Sequence, residues 1–205
     1  MTAFQPRTAR VARTTAETDV AVEIALDAAP GTVADVSTGI GFFDHMLVLF
    51  ARHGGFGLTV RAAGDLHVDD HHTVEDVGLA LGEALAAALG DKAFVARYGH
   101  AVVPMDEALA RAAVDLSGRP YFVFSAEPGA GFERERVGEL STEMVAHFWQ
   151  SVATAARMAL HLTLLAGQND HHRAEALFKA AGRALREAVR RDAGADPLPS
   201  TKGTF

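Results

Sequence analysis

Two short stretches of the chain share an unusual composition. HHTVED begins at His71 and HHRAEA begins at His171, so both carry the pattern HHxxE, with the glutamates at Glu75 and Glu175. Imidazole nitrogens and carboxylate oxygens are ordinary protein ligands of manganese, iron and zinc. The repeated pattern therefore predicts two related metal-binding segments.

A further histidine precedes each motif at a similar distance. His45 lies 26 residues before His71, and His147 lies 24 residues before His171. A hydrophobic core gives no reason for placing histidines equivalently in two halves of a chain. The matched spacing favours a duplicated metal site over the solvated or capping role that a single histidine pair usually has.

Helical geometry indicates how these ligands divide between two metal ions. Residues four apart share a helix face, whereas adjacent residues point about 100° apart. The first histidine of each motif can therefore join its own glutamate. The second histidines, His72 and His172, must face other metal ions, across the two halves or across a subunit boundary. Two sites satisfy these geometric constraints: one is formed by His71, Glu75, His147 and His172, and the other by His45, His72, His171 and Glu175.

The predicted ligand sets, each of three histidines and one glutamate, leave two open positions on a six-coordinate ion. They suit manganese or iron(II) with a chelating substrate, and zinc binds such ligands as well. Asp70 and Asp170 are expected to cap the helices that carry the motifs. Asp69 or Asp76 is expected to accept a hydrogen bond from a ligand imidazole.

The composition of the 205-residue chain limits the classes of function. Apolar residues make up 49% of it, which is enough for a packed core. The formal charge of −7 argues against a nucleic-acid or membrane-surface binder, so any phosphate site must be local. The absence of cysteine excludes disulfides, thiolate ligands and a cysteine nucleophile. With neither a membrane-spanning apolar run nor a secretory signal pattern, we expect a cytoplasmic protein.

The elements that must position these residues follow from the hydrophobic pattern. TDVAVEIALD, from Thr18, alternates as a half-buried strand does, and VADVST is a shorter strand candidate. FFDHMLVLFARHGG has helical spacing and ends on glycines, GLTVRAAGDL is strand-like, and the first HHxxE motif opens a long alanine-rich helix. The first half is therefore predicted as strand, strand, helix, strand, helix.

The second half repeats this order of elements. ALARAAVDL and YFVFSAE flank SGRP like the arms of a hairpin, and TEMVAHFWQSVATAARMAL, from Thr142 to Leu160, has helical spacing. HLTLLAG is a strand, and the second HHxxE motif opens the last helix. The equal order of elements indicates an internal duplication.

Six segments, in this order, closely resemble the imidazoleglycerol-phosphate dehydratase family: GIGFFDHML, DDHHTVEDVGLALG, MDEALARAAVDLSGRPY, EMVAHFWQS, NDHHRAEALFKA and PSTKG. The resemblance runs from about Arg10 to the C-terminus. It implies an α+β fold with an internally duplicated domain, in which each half is a four-stranded sheet packed with helices, of the ribosomal S5 domain 2-like type. The implied repeat halves are residues 1–97 and 98–205, with a substrate-binding tail at about 197–205.

The resemblance also implies an activity and an assembly. The family's enzymes are hydro-lyases of histidine biosynthesis, with two Mn²⁺ per active site. They dehydrate D-erythro-imidazole glycerol phosphate to imidazole acetol phosphate through a metal-bound imidazolate and a diazafulvene-like intermediate. A 24-subunit homo-oligomer with sites shared between subunits is implied. The resemblance is to the monofunctional form of the enzyme, because the chain has no room for the phosphatase domain fused to some bacterial relatives.

The family's functional residues can be carried onto this sequence. Its metal ligands fall on the positions that the duplication selects: His45, His71, His72, Glu75, His147, His171, His172 and Glu175. Its substrate and phosphate contacts fall on Glu17, Arg97, Arg119, Ser200, Thr201 and Lys202. The expected catalytic set is Glu17, as proton donor or acceptor, with His45, His71 and His171. A few cationic donors can hold one phosphate even in an acidic protein.

Two other classes of function remain open on the residues alone. A dinuclear metallohydrolase would use the same ligand types, but it usually needs a carboxylate that bridges two ions about 4 Å apart. A metal-storing assembly is the other class, although di-iron bundles carry Glu-x-x-His on their helices and lack the strands predicted here. Release of phosphate from the substrate would identify a hydrolase, and a metal site that does not respond to the substrate would identify a metal-storing assembly.

Overall fold

Two stretches with the same order of elements follow one another in the computed structural model, which describes residues 5–191. The predicted tail contacts Ser200, Thr201 and Lys202 lie outside the described residues. The first stretch contains β1 (Thr8–Thr14), β2 (Thr18–Ala25), β3 (Asp35–Ser37), α1 (Gly41–Gly54), β4 (Gly57–Gly64) and α2 (His71–Leu89). The second contains β5 (Tyr98–Met105), β6 (Ala108–Asp115), β7 (Tyr121–Ala126), β8 (Arg136–Val137), β9 (Leu140–Ser141), α3 (Thr142–Ala155), β10 (Ala159–Ala166) and α4 (Asp170–Ala188).

Each stretch forms one four-stranded sheet with the same topology. The strand orders are β1-β2-β4-β3 and β5-β6-β10-β7, so every strand of one sheet has an equivalent in the other. In both sheets the last strand of this order pairs parallel with its neighbour, and the other pairs are antiparallel. Together with the four helices, the sheets confirm the α+β fold class. The division into halves 1–97 and 98–205, which falls between α2 and β5, stays a prediction.

The hydrophobic pattern does not reveal two edge strands, β1 and β5. In β1, arginines lie on both faces of the strand, and its apolar inward residues, Ala9 and Val11, are only partly buried. In β5, Gly99 and Pro104 interrupt the apolar alternation, although an edge strand tolerates proline because one side of it has no ladder partner. The predicted order of elements therefore lacks one strand of the four-stranded sheet in each half, and in the second half it also lacks the two-residue strands β8 and β9.

The predicted hairpin between β6 and β7 is wrong. Strand β10 lies between them, antiparallel to β6 and parallel to β7. Leu162 of β10 pairs with Ala112 on one side and with Phe124 on the other. Alternation identifies a strand but not its partner, and the partner here follows more than thirty residues later, after α3.

The helix predicted to continue to Leu160 ends at Ala155. Arg157 adopts a left-handed conformation with φ of 52°, and Ala159 begins β10. The short apolar run that starts at Met158 suits a buried strand as well as a helix, so periodicity alone does not place the boundary.

Helix pairing joins the two halves of the chain. Helices α1 and α2 pack on the first sheet, α3 and α4 pack on the second, and α1 contacts α4 while α2 contacts α3. Buried aromatic rings fill the centre, where Trp149 lies 5.5 Å from Phe50, 4.9 Å from Phe148 and 5.1 Å from Phe178 between ring centroids. Each helix pair therefore combines one helix from each half.

Two glycines at equivalent positions let these helix pairs approach closely. A Cβ on Gly82 of α2 would lie 2.6 Å from the Val152 carbonyl oxygen of α3. A Cβ on Gly182 of α4 would lie 2.6 Å from the Phe50 carbonyl oxygen of α1. Glycine at both positions therefore sets how near the two helices of each pair come to one another.

Candidate metal centres

The first HHxxE motif begins α2 and meets α3. His71 and Glu75 lie one turn apart on α2, and His147 lies on α3. His147 Nε2 is 3.0 Å from Glu75 Oε1, and the ring centroids of His71 and His147 are 4.7 Å apart. One ligand atom from each of the three residues lies within 4.8 Å of the others. We call these three residues the α2–α3 group.

The second HHxxE motif begins α4 and meets α1 in the equivalent way. Glu175 Oε2 lies 3.2 Å from His171 Nε2 and 3.6 Å from His45 Nε2, and these residues form the α1–α4 group. Lys179 Nζ lies 2.5 Å from Glu175 Oε1. Burial alone would raise the pKa of Glu175, but the hydrogen bond and the charge of Lys179 outweigh this effect, so the pKa lies below its ordinary value. Glu175 is thus an ionised carboxylate with one oxygen on the lysine and the other facing the histidines.

Helices α2 and α4 begin at or next to their HHxxE motifs, at His71 and Asp170, but the predicted side-chain caps are wrong. Asp69 Oδ1 and Asn169 Oδ1 accept the backbone N–H of the first histidine of each motif, at 2.8 and 2.9 Å. The carboxylates of Asp70 and Asp170 instead accept hydrogen bonds from backbone N–H groups of the loop that precedes α3. The residue one position earlier therefore satisfies the helix start in each half.

The second histidine of each motif lies outside both groups. Asp65 Oδ2 is 3.0 Å from His72 Nδ1, and Glu107 Oε2 is 2.7 Å from His172 Nδ1. These hydrogen bonds raise the pKa of both imidazoles. The bond to His172, together with the backbone N–H groups of Asn169 and Gln168, lowers the pKa of Glu107 to about 2. Because each Nδ1 is engaged by a carboxylate, Nε2 is the nitrogen left for a metal. The structure thus brings together three of the four residues predicted for each site.

The carboxylates that hold His72 and His172 differ from those that the sequence predicts. Asp65 follows β4, and Glu107 lies in the turn between β5 and β6. Of the predicted acceptors, Asp69 binds a backbone N–H, and Asp76 accepts from Arg13 Nε at 2.7 Å. Helical spacing gives no signal for Asp65 or Glu107, because neither lies on the helix whose histidine it contacts.

Glu17 lies beside the second histidine of the first motif. It is in the turn between β1 and β2, and its side chain is 54% exposed. Glu17 Oε1 is 4.0 Å from His72 Nε2. The candidate proton-transfer carboxylate therefore faces the nitrogen of His72 that Asp65 leaves available.

The two candidate phosphate contacts among the described residues lie at one end of the second sheet. Arg97 precedes β5, and Arg119 precedes β7 on an exposed turn. Arg97 Nε donates to Asp115 Oδ1 at 2.8 Å, which raises the pKa of the guanidinium, and the guanidinium carbon lies 4.9 Å from the Tyr98 ring centroid. Tyr98, Asp115, Ala159 and Tyr121 pair in one row across the sheet, so Arg97, next to Tyr98, and Arg119, two residues before Tyr121, both lie near this row.

Comparison with known proteins points to one family. The family model described as imidazoleglycerol-phosphate dehydratase matches residues 38–185, a segment that includes every candidate ligand. The enzyme of that name from Salinibacter ruber is 64% identical over 202 residues, covering 98% of this chain and 97% of the relative. The one from Streptococcus mutans is 54% identical over 197 residues, covering 96% and 98%.

Solved structures agree with this result. The crystal structure of imidazoleglycerol-phosphate dehydratase from Staphylococcus aureus covers 90% of this chain and 99% of its own, with 40% identity and a TM-score of 0.79. The structure of the Pyrococcus furiosus protein covers 95% and 100%, with 35% identity and a TM-score of 0.78. This chain belongs to the imidazoleglycerol-phosphate dehydratase family, the hydro-lyases of histidine biosynthesis.

Proposed function

We propose that this chain dehydrates imidazole glycerol phosphate to imidazole acetol phosphate and needs two Mn²⁺ per active site to do so. One observation carries the proposal: two groups of two histidines and one glutamate form where the duplicated halves meet. An imidazole ring offers two nitrogens, so a pair of equivalent metal sites suits this substrate. Each conspicuous glutamate belongs to a different group, whereas a dinuclear hydrolase usually has one carboxylate that bridges both ions.

The donor set of each group fits a divalent cation. Two imidazole nitrogens and one carboxylate oxygen, all within 4.8 Å, suit manganese and its neighbours in the first transition series. The residues that would hold the ions are His71, Glu75 and His147 in one group and His45, His171 and Glu175 in the other, completed by His72 and His172 of neighbouring copies. When bound, the ions would supply Lewis acidity and orient the ring.

The bond changes define what the protein side chains must do. The hydroxyl leaves from the carbon attached to the ring, and the proton leaves from the next carbon, whose C–H is not acidic in the substrate. Expulsion of the hydroxyl by the ring electrons gives a diazafulvene-like intermediate, in which this C–H becomes acidic. Loss of the proton gives an enol that ketonises to the product. A general acid must protonate the leaving hydroxide, and a base must accept the proton from carbon.

Glu17 is the residue that we assign to this proton transfer. Its carboxylate is exposed and lies 4.0 Å from His72 Nε2, close to where the substrate ring would be held. A carboxyl group can donate to the leaving hydroxide in one protonation state and accept the carbon-bound proton in the other. The rival assignment is one of the histidines that would hold the ions, and His45, His71 and His171 are the candidates.

The positions of Arg97 and Glu175 support an active site shared between copies of the chain. The Arg97 N–H donates to the Ala188 carbonyl oxygen at 3.0 Å, at the last residue of α4. Glu175 lies near the start of α4, so the rise of about 1.5 Å per residue separates the two places by roughly 20 Å. The substrate is much shorter than this distance. We therefore propose that phosphate contacts and metal groups of one site come from different copies, and we take the number of 24 subunits from the assembly that the family resemblance implies.

The proposed phosphate contacts are charged and directional. Arg119 and the Asp115-held guanidinium of Arg97 provide N–H donors in a planar fork that suits phosphate oxygens. Ser200, Thr201 and Lys202 complete the proposed set from outside the described residues. A local cluster of this kind would bind one phosphate in spite of the net charge of −7.

We also propose a location for the enzyme. Within residues 5–191, no helix has the length and apolar character needed to cross a membrane. The cytoplasm is the proposed compartment because amino-acid biosynthesis uses phosphorylated metabolites that are held there.

Turnover by chelator-stripped protein, with and without added Mn²⁺, tests the proposed function. Ketone and free phosphate should be followed in the same reaction. The proposal predicts ketone only when metal is present and no release of phosphate. Phosphate release would favour a hydrolase. Bound metal without any reaction of the substrate would favour a storage role.

A further inference from the structure

One loop contacts the start of every helix that carries a candidate ligand. Residues 127–141 join β7 to α3 and contain β8 and β9, and we call this segment the bridging loop. Its apolar side chains Ala130 and Leu140 are 3% and 1% exposed, so the loop is packed into the core at two places. It leads directly into α3, where the Thr142 N–H donates to the Glu135 carbonyl oxygen at 2.9 Å.

The first anchor of the bridging loop is Asp70, immediately before the first histidine pair. Asp70 is 5% exposed, and it accepts hydrogen bonds from the Ser141 backbone N–H at 2.5 Å and from Ser141 Oγ at 2.8 Å. Arg136 of the loop adds a contact at 3.4 Å. The end of the loop is thereby fixed to the start of α2.

The second anchor is Asp170, at the equivalent position before the second histidine pair. Asp170 is 4% exposed and accepts the backbone N–H groups of Glu133 and Arg134, at 3.2 and 2.8 Å. The fully buried Arg173 bonds Asp170 at 2.6 Å and donates to the Gly129 carbonyl oxygen at 3.1 Å. The middle of the loop is thereby fixed to the start of α4.

A third contact reaches α1. A Cβ on Gly138 would lie 3.3 Å from Phe42 Cβ, so the loop backbone touches the first turn of α1. The Phe42 ring in turn meets the His171 ring edge to face, with 5.0 Å between centroids. The loop therefore touches the starts of α1, α2 and α4 and continues into α3.

From these contacts we infer that Asp70 and Asp170 are positioning residues for both metal groups and that they act through the bridging loop. The inference rests on the proposed function, because it concerns how the chain holds the residues that would bind the metal. A buried carboxylate that accepts two or three hydrogen bonds fixes both partners in one orientation. Each anchor is adjacent to a histidine pair, so a loosened loop lets ligands from both halves move apart.

Mn²⁺ affinity of the full-length protein, followed by electron paramagnetic resonance of free Mn²⁺, tests this inference. The variants are Asp70→Asn, Asp170→Asn and Ser141→Ala; the last loosens the loop without leaving the buried Arg173 short of a partner. Supporting groups of metal ligands typically change metal affinity 10- to 100-fold, so we expect Mn²⁺ to bind about 10-fold more weakly in each folded variant. Amide hydrogen exchange at residues 133, 134 and 141 should accelerate in parallel.

A matched control separates positioning from general destabilisation. Asp27→Asn removes an ion pair with Arg7, which lies against Val189 beyond the C-terminal end of α4. It should lower the unfolding temperature and leave Mn²⁺ affinity unchanged. Loop variants that are destabilised like Asp27→Asn but bind Mn²⁺ as tightly as the wild type would overturn the inference. A wild type that binds no Mn²⁺ would instead overturn the proposed function.

Discussion

His147 Nε2 lies 3.0 Å from Glu75 Oε1, although the two residues come from different halves of the duplicated chain. The equivalent contact joins His45 Nε2 and Glu175 Oε2 at 3.6 Å. Both contacts exist because α2 packs against α3 and α1 packs against α4. A single half would have its HHxxE motif without the histidine that completes the group of that motif, because this histidine lies in the other half.

Replacing Glu75 with glutamine should empty one metal group. The substitution keeps the shape of the side chain but removes the charge that balances a divalent ion, so bound Mn²⁺ should fall by about half. Metal analysis of the dialysed protein measures this change. Glu83→Gln, on the exposed face of the same helix, is the matched control. Unchanged metal content in Glu75→Gln would exclude Glu75 as a ligand.

Glu17→Gln should separate proton transfer from metal binding. Loss of a general acid or base typically lowers turnover by 10² to 10⁴, so we expect kcat to fall at least about 100-fold. Metal content should stay at the wild-type level, because Glu17 lies outside both groups. Steady-state kinetics and metal analysis on the same sample check both statements. If kcat is unchanged, Glu17 has no part in the reaction.

Two inactive variants should restore activity when they are assembled together. Glu75→Gln damages a metal group and Arg97→Ala damages the proposed phosphate site, and a shared site draws these residues from different copies. When equal amounts of the two variants assemble at random, up to about a quarter of the sites combine a wild-type metal group from one copy with a wild-type Arg97 from another. Activity is measured after the two variants are unfolded and refolded together. A mixture as inactive as its components would argue that each site lies within one chain.

Alanine at Gly82 or Gly182 should destabilise the protein. Glycine to alanine in an open helix normally stabilises by up to about 1 kcal/mol. Here the new Cβ would lie 2.6 Å from a carbonyl oxygen of the facing helix, so overpacking should cost about 1 to 3 kcal/mol. Urea unfolding gives the free energies, with Glu83→Ala as the control on an exposed face. Variants more stable than the wild type would show that the helices can move apart freely.

Acid should remove the stability that the Arg7–Asp27 ion pair contributes. The hydrogen bonds from Arg7 hold the pKa of Asp27 below its ordinary value of 3.8, in spite of partial burial. A carboxyl with a lowered folded-state pKa stabilises the protein above its unfolded-state pKa, and this contribution is lost as the pH falls through the folded-state pKa. The difference in unfolding free energy between the wild type and Asp27→Asn should be constant above about pH 5 and shrink below it. Urea titrations at several pH values measure it, and a difference that grows in acid would contradict the assignment.

The sequence reveals the ligand groups better than it reveals the sheets. Histidine and glutamate are rare enough in a core that their repeated spacing identifies His45, His147 and the two motifs as candidate ligands. The structure brings these residues together, except for the second histidine of each motif. Strand partners leave no such mark, so the position of β10 between β6 and β7 cannot be read from alternation.

The supporting carboxylates are also hidden from sequence patterns. Asp65 and Glu107 reach His72 and His172 from loops, and Asp70 and Asp170 accept backbone N–H groups of a loop rather than those of their own helix ends. These contacts depend on how separate segments approach in three dimensions. Helical periodicity describes only neighbours on one element, so it points to the wrong acceptors.

Titration of Mn²⁺ into chelator-stripped enzyme, with bound metal and ketone formation counted in the same samples, tests the central claim most directly. We predict no ketone without metal, a rise in rate as the groups fill, and full activity at two bound Mn²⁺ per chain. Ketone formed at the full rate with no bound metal would contradict the account.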